Sequence, residues 1–129
     1  MDVQSRRRVV ITGLGAVTPL GNDVASTWAG IKAGKSGIGK ITLFDASDYP
    51  VKIAAEVKDF SLDAYGLDHK VVRKMARFTR FLTAASLQAV RDAGYDESSF
   101  GQDASGIVNG VGIGGYDAIE DGFKKYCDP

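Results

Sequence analysis

A glycine cluster is the first feature with a possible chemical role. Residues 110–115 read Gly-Val-Gly-Ile-Gly-Gly and satisfy the spacing G-x-G-x-x-G. Between a predicted strand and helix, such a cluster can hold the phosphates of a dinucleotide. The acidic residue that this fingerprint requires about twenty positions later is not in the sequence. We therefore expect glycines that allow a tight turn or a close backbone contact, and no nucleotide cofactor.

Cysteine and histidine occur once each, as Cys127 and His69. A catalytic thiolate needs an electropositive site, such as a helix N-terminus or a nearby histidine. Cys127 instead falls at the predicted C-terminal end of a helix, beside Asp128, and His69 has no cysteine or acidic cluster near it in sequence. One histidine and one cysteine also make a poor metal site. Neither residue is predicted to be catalytic or to bind metal.

A basic stripe is the strongest charge feature. The longest periodic segment, residues 68–94, predicts one helix with an apolar face and a basic face. The apolar face comprises Val71, Met75, Phe78, Leu82, Ala85 and Ala89, and the basic face comprises Lys70, Arg73, Lys74, Arg77 and Arg80. Phe81 falls among the basic residues without an evident reason. The basic face is either a solvated surface or a site for an acidic protein. Nucleic acid is disfavoured because no aromatic stacking platform accompanies it.

Strand and helix signals alternate along the chain. Apolar, β-branched runs predict strands over 8–12, 51–57 and 105–111. Helices are predicted from Asn22 or Asp23 to Ala33, over 68–94 and over 116–126, and residues 35–50 are rich in turn residues. The order β-α-β-α-β-α predicts an α/β layered fold with a mainly parallel sheet covered by helices.

Composition limits the class of protein. The 129 residues are 44% hydrophobic and 25% charged, which suits one globular domain and excludes a fibrous, disordered or membrane-spanning chain. Residues 1–80 carry thirteen basic and eight acidic groups, and the remainder carries three and eight. The basic start resembles a twin-arginine signal, but the glycines and proline that follow would break a signal helix. We expect a cytoplasmic protein, with no membrane or nucleic-acid partner.

Several motifs, in order, resemble the N-terminal part of the β-ketoacyl-acyl carrier protein synthases, and most closely the type II elongating enzymes of fatty acid synthesis. They lie at residues 7–15, 18–21, 26–28, 35–38, 44–45, 73–75 and 112–115. The resemblance implies a thiolase-like fold, with residues 1–129 as an incomplete N-terminal half, and a homodimer. It also implies acyltransferase activity, a decarboxylating Claisen condensation between an acyl thioester and malonyl-acyl carrier protein.

The resemblance also assigns roles to a few residues. Lys70, Arg73 and Lys74 match the family's docking patch for acyl carrier protein, and Ile113 matches a position that borders the acyl pocket. The family's catalytic cysteine lies in a Thr-Ala-Cys turn, followed by two histidines and a lysine, and residues 1–129 contain no such motif. We therefore expect no catalytic residue and no cofactor here, and activity only in the full-length enzyme.

Two other interpretations remain open. A polyketide ketosynthase would carry similar motifs, and a non-enzymatic module could bind an acidic protein through the basic helix. If the chain is an incomplete half, uncovered sheet edges and apolar faces should leave it loosely packed or poorly soluble by itself.

Overall fold

The computed structural model describes residues 8–96, 98 and 105–127. The elements whose bounds are described are four α-helices, two short strands and one 3₁₀ turn. In chain order they are α1 (Val24–Lys32), β1 (Ile38–Lys40), β2 (Ile53–Ala55), the 3₁₀ turn (Asp63–Tyr65), α2 (His69–Val72), α3 (Arg77–Asp92) and α4 (Tyr116–Cys127).

Helix α1 begins and ends where the sequence predicts. The Asp23 carboxylate accepts a hydrogen bond of 2.7 Å from the Ser26 backbone N–H, and the Ser26 hydroxyl accepts one from the Asp23 N–H. These two bonds form a reciprocal cap at the start of the helix. Beyond its end, Gly34 has a φ of +62°, a left-handed conformation that favours glycine. The predicted helix and its glycine stop are confirmed.

The sheet differs from the prediction. Strand β2 lies inside the predicted strand 51–57, but it pairs antiparallel with β1, which lies in the segment predicted to be rich in turns. Ile38 is opposite Ala55, and Lys40 is opposite Ile53. Because only twelve residues separate the two strands, a local hairpin forms without the long crossover that parallel pairing needs. The described residues contain no parallel sheet.

The strands predicted over 8–12 and 105–111 are also absent from the structure, so these two predictions are wrong for the described residues. A strand exists only when a neighbour supplies backbone hydrogen bonds. The described backbone gives neither run such a bond. Their apolar side chains are therefore largely open, with Val9 94% and Val108 97% exposed.

The first of these runs continues into a segment that lies against α3. A Cβ atom on Gly13 would lie 2.1 Å from the Ala89 carbonyl oxygen, and one on Gly15 would lie 1.8 Å from that of Ala85. Real side chains cannot approach so closely, so both positions require glycine. Between them the Leu14 N–H donates to the Asp92 carboxylate over 2.9 Å. Residues 13–16 therefore run antiparallel to α3 in close backbone contact.

The side chain of Gln88 joins this segment to two others. Its amide oxygen accepts a hydrogen bond from the Ala16 N–H at 3.1 Å, and its amide nitrogen donates to the Asn22 carbonyl and the Tyr65 hydroxyl, both at 2.8 Å. Asn22 in turn donates to the carbonyl oxygens of Lys58 and Asp59. One partly buried side chain thus connects α3 to the N-terminal segment, the start of α1 and the 3₁₀ turn.

The single helix predicted over 68–94 is two helices, α2 and α3. Past Val72 the N–H groups of Lys74 and Met75 bond three residues back, which tightens the chain, and Ala76 is extended with a ψ of 156°. The Arg80 guanidinium donates to the Met75 carbonyl at 3.0 Å and satisfies a group that the break exposes. No glycine or proline marks this break, so the periodic pattern does not reveal it.

Burial in the described residues is slight. Leu62 and Ala84 are the only apolar residues there that are buried, at 3% and 0% exposure. Helix α4 confirms the helix predicted over 116–126, but its apolar residues, including Ile119 and Phe123, are exposed. Large apolar surfaces of this kind are typical of regions that pack against further protein.

One buried carboxylate, directly after β2, binds the chain that follows β1. Glu56 is 7% exposed and accepts hydrogen bonds from the N–H groups of Thr42 and Leu43 and from the Thr42 hydroxyl, which is 2.7 Å away. The Thr42 hydroxyl, the Thr42 and Leu43 N–H groups and the nearby charge of Lys58 lower the pKa of Glu56 from its ordinary value of 4.5, against the opposing effect of burial.

The lowered pKa predicts how stability depends on pH. Because the ionised form is favoured in the folded protein, the stabilisation by Glu56 is present at neutral pH and is lost as the pH falls through the folded pKa. The free energy of unfolding of the protein and of Glu56→Gln should be compared by urea denaturation from about pH 7 to about pH 3. We expect a difference that shrinks towards acid pH. A difference that stays constant would contradict the role of the charge.

Candidate functional site

An apolar cleft lies between α3 and the glycine cluster. Its volume is about 430 Å³. The lining residues are Val17, Phe78, Phe81, Leu82, Ala85 and residues 110–114. From α3 the contributors follow the spacing i, i+3, i+4, i+7, which is one face of a helix. The N-terminal segment, α3 and the glycine cluster, which are far apart in sequence, therefore form one open apolar site.

Glycine is needed where the cluster meets α3. A Cβ atom on Gly114 would lie 2.7 Å from the Phe78 ring, and Gly115 has a φ of +77°. Gly110 and Gly112 have open space around them. Gly114 therefore allows close packing on an aromatic ring, and Gly115 allows a left-handed backbone. The sequence predicts glycines of these two kinds in the cluster.

Ile113, which the resemblance places at the border of an acyl pocket, lines this apolar cleft, and 83% of its surface is exposed. A side chain so little constrained can reach into or away from the cleft without a clash.

The structure explains Phe81, whose place on the basic face is puzzling in the sequence. Its ring packs edge to face on Phe60, with 4.9 Å between centroids, and the Arg77 guanidinium lies 5.1 Å from its centre. It also lines the apolar cleft. On α3, Phe81 lies at the boundary between the face that lines the cleft and Arg77, so it contacts both.

The basic stripe divides into two groups. Lys70, Arg73 and Lys74 are exposed at α2 and the turn after it, and the described residues give none of their side chains a hydrogen bond or an ion pair. They lie within five consecutive residues, on α2 and the tighter turn that follows it. We call these three residues the docking turn. It presents a concentrated positive charge to solvent.

The side chains of the other two basic residues form hydrogen bonds within the fold. Arg77 donates to the Val57 carbonyl at 2.7 Å, and Arg80 bonds to Met75 as described above. Both also contribute charge near the docking turn, since they line a cleft together with Arg73 and Lys74. These hydrogen bonds are not evident from the sequence, because the acceptors are backbone carbonyls of Val57 and Met75, which lie outside the helices and strands.

The described residues offer no other reactive cluster. Cys127 is an exposed thiol at the last residue of α4, and His69 is exposed at the first residue of α2. No group of three or more potential metal ligands occurs in the described ranges. None of the helices described here has the length and apolar character required to cross a lipid bilayer.

Comparisons with known proteins agree with this arrangement. Residues 6–126 match the family described as Beta-ketoacyl synthase, N-terminal domain. The structure is similar to that of the ishigamide ketosynthase/chain length factor, with a TM-score of 0.68 and 38% identity, over 75% of this chain and 24% of the other. The fold is thus that of the N-terminal domain of a ketosynthase.

Curated relatives are similar over most of the chain. The 3-oxoacyl-[acyl-carrier-protein] synthase 2 of Coxiella burnetii is 47% identical over 118 residues, covering 92% of this chain and 28% of the relative. The same enzyme of Synechocystis sp. is 45% identical over 116 residues, covering 90% and 28%, and that of Staphylococcus aureus strain COL is 40% identical over 126 residues, covering 98% and 30%. The chain belongs to the β-ketoacyl synthase family and spans less than a third of these relatives.

The contact between Gly114 and Phe78 predicts unequal effects within the glycine cluster. Gly114→Ala should destabilise the protein by about 1–3 kcal/mol, because the new methyl group displaces the Phe78 ring and the Val111 side chain. Gly112→Ala is the matched control, since nothing lies within 4 Å of a Cβ there, and it should be neutral or slightly stabilising. Urea denaturation followed by Trp28 fluorescence measures both. Equal effects would contradict the packing described.

Proposed function

We propose that this chain is the N-terminal part of an elongating 3-oxoacyl-acyl carrier protein synthase of fatty acid synthesis. The observation that carries the proposal is its 40–47% identity, over nearly its whole length, to relatives with that name. Residues 1–129 would be the incomplete N-terminal half of a thiolase-like domain, whose parallel sheet needs strands beyond those described. The full enzyme would be a cytoplasmic homodimer that uses acyl- and malonyl-carrier protein.

The reaction forms one carbon–carbon bond. A cysteine thiolate of the full enzyme attacks the acyl thioester and releases the carrier thiol. Malonyl-carrier protein then loses carbon dioxide, and the resulting carbanion attacks the enzyme-bound thioester and expels the cysteine thiolate. Donors such as histidines stabilise the charge that develops on the thioester oxygen. Because Cys127 and His69 match none of these positions, the chain alone would be inactive.

The residues of this chain would bind and orient the substrates. The docking turn, with exposed and unpaired cations, suits a strongly acidic carrier protein, whose approach such charges accelerate. The apolar cleft suits part of an acyl chain, since every side chain that lines it is apolar and the remaining lining residues are glycines. Ile113 lies at the edge of this cleft and would help to limit the length of chain accepted.

A ketosynthase of another pathway is the second candidate. The ishigamide ketosynthase/chain length factor is 38% identical, close to the range of the fatty acid relatives. The product formed by the full enzyme from malonyl-carrier protein and a short saturated acyl primer separates the two. A singly extended 3-oxoacyl product supports the fatty acid enzyme, whereas repeated unreduced extension supports the alternative.

Reversing the charge of the docking turn should weaken carrier binding. For Lys70→Glu with Arg73→Glu in the full-length enzyme, we expect at least a tenfold rise in the dissociation constant at low salt and nearly unchanged folding, because both side chains are exposed. Fluorescence anisotropy with labelled holo-carrier protein measures binding, and circular dichroism measures folding.

The matched control reverses two basic residues elsewhere. Lys35 and Lys52 are exposed and lie outside α2 and α3, so Lys35→Glu with Lys52→Glu makes the same change in net charge. This control should bind much more tightly than the docking-turn variant. Equal binding by wild type and the docking-turn variant would refute the docking assignment.

A larger residue at the edge of the cleft should shorten the product. Ile113→Phe adds volume beside the acyl chain, so the full-length enzyme should lose activity on long primers and retain it on short ones. Mass spectrometry of products from primers of increasing length tests this. Ile119→Phe, on an exposed position of α4 that does not line the cleft, is the control. An identical length profile in both variants would refute the role of Ile113.

A further inference from the structure

A second cleft, of about 310 Å³, separates the docking turn from α4. Its walls are formed by the irregular turn after α2, the first residues of α3 and the N-terminal half of α4. The lining residues are residues 73–77, Arg80, Asp117, Ala118 and Asp121. Lys70 is not among them. The docking turn therefore has one side that faces α4 across this cleft and another side that does not.

The charges across this cleft are opposed but unpaired. Four cations, on Arg73, Lys74, Arg77 and Arg80, line it on one side. Asp117 and Asp121, one helical turn apart on α4, line it on the other. Within the described ranges the only ion pair closer than 4.0 Å joins Glu120 and Lys124, at 2.8 Å. The two aspartates thus share a cleft with four cations without neutralising any of them by direct contact.

We infer that Asp117 and Asp121 form an acidic rim that determines the side from which an acidic carrier protein docks. This inference rests on the proposed docking function. An acidic partner is attracted by the four cations and repelled by the rim, so its most favourable position is displaced away from α4, towards Lys70, which does not line the cleft. The rim therefore weakens docking but restricts its orientation, a form of selection by repulsion.

Elementary electrostatics gives the size of the effect. A unit charge about 6 Å from another in water changes the binding constant about threefold, and salt reduces the change once the Debye length becomes shorter than that distance. Removing one aspartate should then tighten carrier binding about threefold at low salt, and removing both about tenfold. Glu120 should matter less, because its charge is already paired with Lys124 outside the cleft.

The test uses the full-length enzyme and labelled holo-carrier protein. Asp121→Asn and Glu120→Gln each remove one negative charge from the same helix at adjacent, exposed positions, so their net charges match. Dissociation constants are measured at about 50 mM and about 500 mM salt, where screening is weak and strong. We expect tighter binding for Asp121→Asn at low salt, further tightening with Asp117→Asn added, little change for Glu120→Gln, and convergence of all variants at high salt.

The outcomes separate this inference from the proposed function. Equal tightening by Asp121→Asn and Glu120→Gln would show an effect of net charge and would overturn the rim, as would no change in either variant. If Lys70→Glu with Arg73→Glu abolishes binding while the aspartate variants match wild type, only the rim fails. If the Lys70 and Arg73 variant still binds normally, the docking surface itself fails and the rim with it.

Discussion

The contact between residues 13–16 and α3 is the constraint on which the site depends. It brings two backbones so close that side chains are excluded at Gly13 and Gly15. The exposed N–H groups of the segment are satisfied by Asp92 and Gln88 of the helix, so the contact leaves no donor without a partner at Leu14 or Ala16. Val17, at the end of this segment, is thereby placed at the apolar cleft.

Helix α3 contributes residues to two surfaces. Its apolar residues face the glycine cluster and form the cleft, whereas Arg77 and Arg80 lie near the docking turn. The break at Ala76 allows this division, because the docking turn lies before α3 and does not follow its periodicity. For a ketosynthase, the arrangement would bring the carrier protein and the acyl chain to neighbouring faces of one helix.

The sequence predicts the local elements better than the sheet. Helix α1 follows from Asp23 and Gly34, and α4 from its apolar spacing, since both depend on signals within a few residues. The sheet depends on partners distant in sequence, and the β-branched runs around Val10 and Ile107 have none in the described chain. The break after Val72 is also unpredicted, because backbone bonding and Arg80, rather than proline or glycine, end the helix there. Periodicity and charge alone identify the basic stripe that contains the docking turn, whereas the choice of its three residues and of Ile113 depends on the family resemblance.

Gln88 uses both halves of its amide: the oxygen accepts from Ala16, and the nitrogen donates to Asn22 and Tyr65. A side chain of the same shape with a carboxylate would keep the first bond but lack the donor for the Asn22 carbonyl. Deamidation is a common form of protein ageing that makes this replacement. It would place a carboxylate oxygen against the Asn22 carbonyl oxygen, at the point where three segments of the chain meet. A change of a single functional group would weaken the contact between these three segments without changing the shape of the side chain.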